Sequence, residues 1–298
     1  MLHMNEPLVV VVTYNCDDSS ALTTGALTGS GSDAVIIDNG SEPESVAMVR
    51  RCCEEGLCHA IYNDENMGIA FALNQGIRYA IEHGYQWVLT LDQDSLVTPG
   101  MVQTMLNVHQ SLEPQERART AGFFAMPVER ATARPEDFQS DPEDRGYTKV
   151  LTGITSGNLL RTDVFQTVGF FEDKLFIDYV DHDFFLRLAS AGYQLLECRG
   201  AKLIHQRGNY TRRRFLWRHV STTNHSALRQ YYIMRNRMYM WKTYGKTHPD
   251  FVRHDKKTFP KQLLKMLLIE NDRWAKIKMM AKGAMDCRRN RFGKLSLE

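Results

Sequence analysis

The tripeptide Asp92-Gln93-Asp94 carries two carboxylates two residues apart, directly after the apolar run Trp87–Leu91. Where a buried strand ends in a solvated loop, two side chains at this spacing can approach one divalent cation. Hard ions such as Mg²⁺ or Mn²⁺ take oxygen ligands and often share them with substrate phosphates. The alternative is a pair of solvated turn carboxylates, because an Asp-x-Asp arises by chance about once in a chain of this composition.

A second acidic group, Asp178, Asp181 and Asp183, lies among aromatic residues. Crowded carboxylates raise one another's pKa, and a carboxylate with a raised pKa is a suitable general base near neutral pH. The alternative is structural: Asp181 would cap a helix predicted over Phe184–Ala191, and Arg187 on that helix would neutralise one of the acids.

His205 and Arg207 follow the last predicted strand, Leu195–Leu203. A single histidine after a strand is more often a structural hydrogen-bonding residue than a ligand. If the fold brings His205 beside Asp94, the imidazole becomes a candidate contact for metal or phosphate. Arg207 is a candidate phosphate contact for the same reason.

Strand and helix patterns alternate over the first 100 residues, which predicts a mainly parallel sheet with helices on both faces. In such sheets, ligands bind at the carboxyl ends of the strands near a switch in strand order. Polar residues follow each predicted strand at that edge. The predicted strands are Leu8–Thr13, Ala34–Asp38, His59–Tyr62 and Trp87–Leu91, and the predicted helices are 19–29, Ser45–Glu55, Gly68–His83 and one that Pro99 opens.

The rest of the chain is less regular. The polar segment 129–149 contains two prolines and is predicted to be an exposed, mobile loop that could close over a ligand. Residues 163–169 have the pattern of a short helix. From about residue 211 the pattern becomes helical and basic.

Glycine-rich phosphate loops do not occur after the first predicted strand, which is followed by TYNCDDSS. This counts against a dinucleotide-dependent oxidoreductase and against a P-loop NTPase. The charge of a bound diphosphate would have to be met by a metal ion and basic side chains.

Charge divides the 298 residues into two parts. Residues 1–201 carry 13 Lys and Arg against 29 Asp and Glu, a net charge of −16, whereas residues 202–298 carry 24 against 6, a net charge of +18. Apolar residues recur near helical spacing over Phe259–Met285, and basic amphipathic helices bind anionic membrane surfaces. The alternative is that these helices pack on the acidic part. No motif indicates nucleic-acid binding.

Six cysteines form no CxxC pair, and the first residues lack the basic and apolar regions of a signal peptide. We therefore expect a cytoplasmic protein with reduced thiols, attached peripherally to the inner face of the cytoplasmic membrane.

Six motifs occur in a consistent order within residues 8–245: TYN, IIDNGS, NMGIAFALNQGI, LDQDS, TSGNLLR and IDYVDHDFFLRL. This set resembles the inverting GT-A glycosyltransferases of family two, and the later HQRG and RQYYIMRNRMYMWKTYG resemble its rhamnosyltransferase branch. The resemblance implies an α/β GT-A fold, a Rossmann-like, mainly parallel sheet flanked by helices. The expected catalytic domain is 1–210, with a nucleotide-binding half (1–100) and an acceptor half (101–210). A basic helical extension is expected over 211–298.

The resemblance also implies roles for single residues. Asp181 is the catalytic base, although Val180 stands where the family has a glutamate. The metal contacts are Asp92, Asp94 and His205. The donor pocket comprises Thr13, Tyr14, Asn15, Asp38, Asn39, Ser41, Asn66, Gly68, Asp92 and Asp94, with Asp38 holding the base. The acceptor and sugar residues are Ser156, Gly157, Asn158, Asp178 and Asp183.

The implied function is transfer of L-rhamnose from dTDP-L-rhamnose to a growing, lipid-linked cell-surface saccharide, with inversion and with Mg²⁺ or Mn²⁺ as cofactor. Three alternatives stay open at this point. They are the same fold with a UDP-hexose donor, a sugar nucleotidyltransferase, and a non-catalytic membrane-binding module.

Overall fold

The structure is a computed structural model that describes residues 6–16, 33–56, 58–205, 211–215, 218–222 and 224–296. The helix predicted over 19–29 and Arg207 lie outside these residues. The chain forms two compact units, one of residues 1–173 and 181–206 and the other of 174–180 and 207–298. The second unit therefore includes a short segment from the middle of the chain.

A nine-stranded mixed sheet is the centre of the first unit, with eight strands in the order β3-β2-β1-β4-β8-β6-β9-β5 and β7 paired with β9. Six strands, β1–β4, β6 and β9, run in one direction, which confirms the mainly parallel prediction. The strands are β1 Leu8–Thr13, β2 Ala34–Asp38, β3 His59–Tyr62, β4 Trp87–Asp92, β5 Leu96–Val97, β6 Thr120–Glu129, β7 Tyr147–Val150, β8 Asn158–Arg161 and β9 Gln194–His205.

Helices cover both faces of this sheet. Side chains alternate along β1, so that Val9 and Val11 lie in the core cluster with Met101 and Met105. Val10 lies against Gly76, where a Cβ atom would come within 2.3 Å of the valine Cγ1. The helices of this unit are α1 Pro43–Glu54, α2 Ile69–Glu82, α3 Met101–Ser111, α4 Pro114–Arg119, α5 Val164–Val168 and α6 Val180–Ser190, the last beginning in the segment 174–180.

The segment 129–149 differs from the predicted loop. It contains two 3₁₀ turns, 130–132 and 135–138, and ends in β7. Its middle is anchored to β9, because Lys202 Nζ donates to Asp137 Oδ1 at 3.1 Å and Ser140 Oγ accepts from Lys202 N at 2.8 Å. The polar composition suggested a loop, but these side chains bond to a neighbouring strand.

The second unit contains an antiparallel hairpin, β10 Thr211–Phe215 and β11 Arg218–Thr222, followed by three helices. The prediction of helix from about residue 211 was wrong for the hairpin, whose threonines, valine and phenylalanine favour strands. The helices are α7 Ala227–Tyr244, α8 Pro249–Ile269 and α9 Arg273–Arg288. None of the helices that the structure describes is long and apolar enough to span a lipid bilayer.

Arg235 and Asn236 of α7 hold the segment 174–180. The Arg235 guanidinium is fully buried and donates to the carbonyl oxygens of Gly293 at 2.6 Å and Leu175 at 2.9 Å. Asn236 Nδ2 donates to the carbonyl oxygens of Leu175 and Ile177, both at 2.8 Å. These bonds stabilise a segment in which three residues other than glycine have a positive φ, namely Phe176, Asp178 and Tyr179.

His109 of α3 provides a pH-dependent contribution to the stability of the first unit. Its ring makes an edge contact with Trp87 at 5.0 Å between centroids. Burial, followed by the charges of Arg117 and Arg161, lowers the pKa of His109 from 6.5 to about 4. Between these pH values the unfolded chain binds a proton that the folded chain does not, so stability decreases as pH falls.

A pKa difference of this size gives roughly 3 kcal/mol for a fully buried group, and the partial exposure of His109 reduces it. We therefore expect the free energy of unfolding to decrease by roughly 1–2 kcal/mol as pH falls from about 6.5 to about 4 because of this histidine. The variant His109→Phe retains an aromatic ring that does not titrate and should have a flatter profile. Urea unfolding across this pH range measures the effect. The exposed His83→Phe serves as the control, and equal slopes for the wild type and His109→Phe would contradict the prediction.

Candidate active site

Asp38, the last residue of β2, ties together the loops after the first two strands. Its Oδ2 accepts from Thr13 Oγ1 at 3.2 Å, and its Oδ1 accepts from Ser41 N at 3.0 Å. The side chain is almost fully buried. The predicted donor residues Thr13, Asp38 and Ser41 are thus in contact at the carboxyl edge of the sheet.

The loop after β1 bonds to the loops on either side of it. Tyr14 N donates to Gln93 Oε1 at 2.8 Å, while Asn15 N donates to Ser41 Oγ at 2.9 Å. The Tyr14 ring itself is exposed. Because β1 lies between β2 and β4, this is the point where the strand order switches, and ligands bind at such points in α/β sheets. The role of Gln93 was not foreseen from the sequence.

Asn39, Asn66 and Gly68 form the next part of the edge. Asn39 Nδ2 donates to Asn66 Oδ1 at 3.3 Å, and Asn66 Oδ1 also accepts from Gly68 N at 2.9 Å. Gly40 lies between the two loops with φ +78°, and a Cβ atom there would come within 2.3 Å of the carbonyl carbon of Glu65. Glycine is therefore required at residue 40 of IIDNGS, because the positive φ disfavours other residues and because there is no room for a Cβ atom.

Asp92, Asp94 and His205 come together at this edge, each offering one ligand atom within 4.8 Å of the others. The strand β5 explains how: Leu96 pairs with Ile204 of β9, so the turn after β4 is held beside the end of β9. His205 Nδ1 lies 3.5 Å from Asp94 Oδ1. The structure thus brings together the three residues that the sequence predicted as metal contacts.

Ser95 and Ser156 link this acidic group to the segment before β8. Ser95 Oγ lies 2.7 Å from Ser156 Oγ and 2.8 Å from His205 Nδ1, within hydrogen-bond distance of both. Ser156 Oγ accepts from Asp92 N at 3.0 Å. Sequence reasoning gave no role to Ser95, although it is the last residue of the LDQDS motif.

Gly157 and Asn158 continue the site along β8. Gly157 has φ +73°, and a Cβ atom there would lie 2.7 Å from Leu203 Cδ2. Asn158 lies opposite Thr90 in one neighbouring strand and Phe124 in the other. It is fully buried, and neither polar atom of its side chain has a hydrogen-bond partner among the residues that the structure describes.

The helix α6 carries Asp181 and Asp183 in its first turn. It begins at Val180, four residues before the predicted start, so Asp181 lies within the helix and is not its cap. Only residues 191–193 separate the end of α6 from β9. The strand β9 starts beside Thr120, at the amino ends of the parallel strands, which lie opposite their carboxyl ends. The first turn of α6 therefore points towards the carboxyl edge.

The acidic residues of this region have different partners. Asp181 Oδ1 accepts from His182 N at 2.8 Å. Asp183 is almost fully buried and accepts from Arg187 Nε at 3.0 Å, the predicted intrahelical pair. Asp178 belongs to the second unit, where Arg229 Nη2 donates to it at 3.1 Å.

A family model described as "Glycosyl transferase family 2" matches residues 8–169, which include the edge described above up to β8. The chain belongs to glycosyl transferase family 2. It is 27% identical over 239 residues to the dTDP-rhamnosyl transferase RfbF of Shigella flexneri, covering 76% of this chain and 77% of RfbF.

Several solved structures share the fold. The mannosyltransferase PcManGT from Pyrobaculum calidifontis, in complex with GDP-Man and Mn²⁺, aligns with a TM-score of 0.59 at 16% identity, covering 97% of this chain and 84% of that one. S. aureus TarS 1–349 in complex with UDP-GlcNAc aligns with a TM-score of 0.59 at 12% identity, covering 95% and 81%. A further TarS chain is covered to only 44% of its length. The fold is thus the predicted GT-A fold with C-terminal helices.

We expect Gly157→Ala to destabilise the protein more than Gly192→Ala. Both glycines have a positive φ, which opposes an added Cβ by about 1–2 kcal/mol. Only the Cβ at residue 157 would also meet a neighbour, Leu203, and overpacking adds about 1–3 kcal/mol. The difference in the free energy of urea unfolding measures this steric contribution, and equal losses in the two variants would contradict it.

Proposed function

We propose that this family 2 protein transfers L-rhamnose from dTDP-L-rhamnose to a growing cell-surface saccharide by a single displacement with inversion. The observation that carries the proposal is the convergence of Asp92, Asp94 and His205 beside the Asp38 pocket at the switch in strand order. The similarity to RfbF over three quarters of both chains supports the rhamnosyl donor.

The donor nucleoside is proposed to bind over Thr13, Tyr14 and Asn15, with Asp38 facing the base. The exposed Tyr14 ring offers a surface for a planar base. Asn39, Ser41, Asn66 and Gly68 hold the surrounding loops through side-chain and backbone hydrogen bonds. Because these bonds exist within the protein, the pocket is preorganised for its ligand.

Asp92, Asp94 and His205 would hold a divalent cation, and two carboxylates with one imidazole suit Mn²⁺ better than Mg²⁺, which takes oxygen ligands almost exclusively. PcManGT, which shares the fold, was solved with Mn²⁺. The bound ion would offset the negative charge that develops on the leaving diphosphate. Ser95 and Ser156 orient the histidine and the backbone of Asp92.

Asp181 is proposed as the general base. It would take the proton from an acceptor hydroxyl whose oxygen attacks the anomeric carbon, while the bond from that carbon to the diphosphate breaks. The half-buried position of Asp181 and the direction of α6 towards the carboxyl edge support this role.

The acceptor sugar is proposed to contact Ser156 and Gly157. Asn158 stays a prediction as an acceptor contact, because its side chain is fully buried and its amide atoms, which have no partner among the described residues, suit a buried water better than a sugar. Asp178 and Asp183 stay predictions as acceptor residues. The Asp183–Arg187 pair favours a structural role for Asp183, since Arg187 also donates to the carbonyl oxygens of Val168 and Phe170.

The proposed acceptor is lipid-linked, and the proposed location is the cytoplasmic side of the membrane. The excess of positive charge over residues 202–298 supports attachment to anionic lipid. Family 2 membership favours glycosyl transfer over the nucleotidyltransferase and the non-catalytic membrane module. A UDP-hexose donor is the remaining alternative, and the next experiment distinguishes it.

We expect the protein with Mn²⁺ to release dTDP from dTDP-L-rhamnose at least about tenfold faster than it releases the nucleotide from UDP-glucose or GDP-mannose, because base and sugar contacts select the donor. Coupled detection of the released nucleoside diphosphate measures the rates. Turnover of UDP-sugars with none of dTDP-L-rhamnose would refute the rhamnosyl proposal.

We expect Asp181→Asn to lower transfer by roughly 10²–10⁴-fold while Mn²⁺ and dTDP binding remain, because the amide cannot take the proton. Isothermal titration measures binding, and product formation measures transfer. The complementary variant Asp94→Ala should lose Mn²⁺ binding itself. The surface variant Asp163→Asn is the control for both, and full transfer by Asp181→Asn would show that another group is the base.

A further inference from the structure

The helix α8 of the second unit has an inner stripe that packs against α7. Its residues recur at spacings of three and four, so they share one side of the helix. Asp255 Oδ2 accepts from Arg237 Nε at 3.1 Å and from Trp241 Nε1 at 2.7 Å, and Gln262 accepts from Arg237 Nη2 at 2.6 Å. The stripe consists of Val252, Asp255, Phe259, Gln262, Met266 and Ile269.

The opposite stripe of α8 is exposed, and its side chains change from basic to apolar along the helix. Lys257 and Lys261 come first, and Leu264 and Leu268 follow at the same helical spacing. Leu264 is 57% exposed and Leu268 is 47% exposed. A stripe of leucines in solvent beside lysines is not explained by the packing of this unit.

The helix α9 repeats this arrangement. Its buried stripe packs on α7, and Gly283 allows a close approach, since a Cβ atom there would lie 2.4 Å from the carbonyl oxygen of Tyr231. Trp274 begins the opposite stripe and is 83% exposed. The buried residues are Lys276, Met280, Gly283 and Cys287, and the exposed ones are Trp274, Lys278, Ala281 and Met285.

The exposed stripe of α8 ends with Leu268 and that of α9 begins with Trp274, so both lie within four residues of the turn 270–272, which internal bonds hold in place. Lys276 Nζ donates to Glu270 Oε2 at 2.8 Å, and both side chains are buried. Leu264, Leu268 and Trp274 therefore lie on either side of a rigid corner, which we call the apolar corner.

Positive charge predominates over the exposed positions of α8, α9 and the residues that follow them. From residue 249 to 296, Asp250 and Asp272 are the acidic residues in exposed positions, while Asp255, Glu270 and Asp286 are taken up in internal bonds. The exposed basic residues over the same range are Arg253, Lys256, Lys257, Lys261, Arg273, Lys278, Lys282, Arg288, Arg289, Arg291 and Lys294.

We propose that the apolar corner inserts into the surface of an anionic lipid bilayer, with Trp274, Leu264 and Leu268 among the acyl chains and the flanking lysines at the headgroups. Tryptophan suits this depth because its ring is apolar and its N–H is polar. A second copy of the chain is a poorer occupant, because two such surfaces would bring like charges together. This proposal rests on the proposed function, in which the positive charge of residues 202–298 attracts anionic lipid, and it names the residues that would enter the bilayer.

The test is co-sedimentation of the full chain with vesicles of phosphatidylcholine alone or of phosphatidylcholine and phosphatidylglycerol in equal parts. We expect binding to the anionic vesicles and little to the neutral ones. The triple variant Leu264→Ser/Leu268→Ser/Trp274→Ser should bind the anionic vesicles at least about tenfold more weakly than the wild type, because apolar burial adds to the electrostatic attraction. All three positions are exposed, so circular dichroism and the thermal midpoint should change little.

The control variant is Leu228→Ser, which removes an exposed leucine of the same unit outside the corner and should bind like the wild type. Brominated lipid reports insertion directly: quenching of tryptophan fluorescence should occur in the wild type and largely disappear in Trp274→Phe. Equal binding by the triple variant and the wild type would overturn the proposal. The proposal would also be overturned if the wild type formed a dimer that the triple variant does not form and if neither protein bound vesicles.

The vesicle assay is independent of the donor assay. Vesicle binding without turnover of any nucleotide sugar would refute the proposed function and leave the lipid contact standing. Donor turnover without vesicle binding would refute the lipid contact alone.

Discussion

The candidate cation site depends on the antiparallel pairing of a two-residue strand, β5, with the end of β9. Asp92 and Asp94 follow β4 directly, but His205 is more than a hundred residues away in sequence. The pairing of Leu96 with Ile204 sets the turn after β4 against the end of β9, and Ser95 bonds towards both Ser156 and the histidine. Without this short strand the acidic pair would be an ordinary solvated turn.

The loops at the same edge hold one another through polar contacts. Asp38, Asn39, Asn66 and Ser41 each accept from or donate to a neighbouring loop. Such bonds fix the positions of the loops before any ligand arrives. A transferase that must exclude water from a reactive donor benefits from a pocket with little freedom to reorganise.

The long apolar strands were predictable because β-branched runs such as Leu8–Thr13 are buried on both faces of a parallel sheet. The residues that converge at the carboxyl edge followed from that topology and from the family motifs. The strand β5 was not predictable, since two residues carry no periodicity. The role of Ser95 was not predictable either, because it depends on contacts with Ser156 and His205 that the LDQDS motif does not encode. The early start of α6 and the anchoring of 129–149 depend on contacts between distant residues, which local composition does not encode.

The buried guanidinium of Arg235 joins the two stretches of chain that form the second unit, 174–180 and 207–298. Its acceptors are the carbonyl oxygens of residues 174, 175 and 293 and the side-chain oxygen of Asn236, with no carboxylate among these bonds. The rings of Tyr231, Tyr232 and Phe292 lie around it within 5.4 Å of the guanidinium carbon. A charge in such surroundings is tolerated only when its acceptors are complete. An isolated fragment of residues 207–298 would lack the carbonyl groups of residues 174 and 175, so the buried guanidinium would lose acceptors and the helices around it would be less stable than in the full chain.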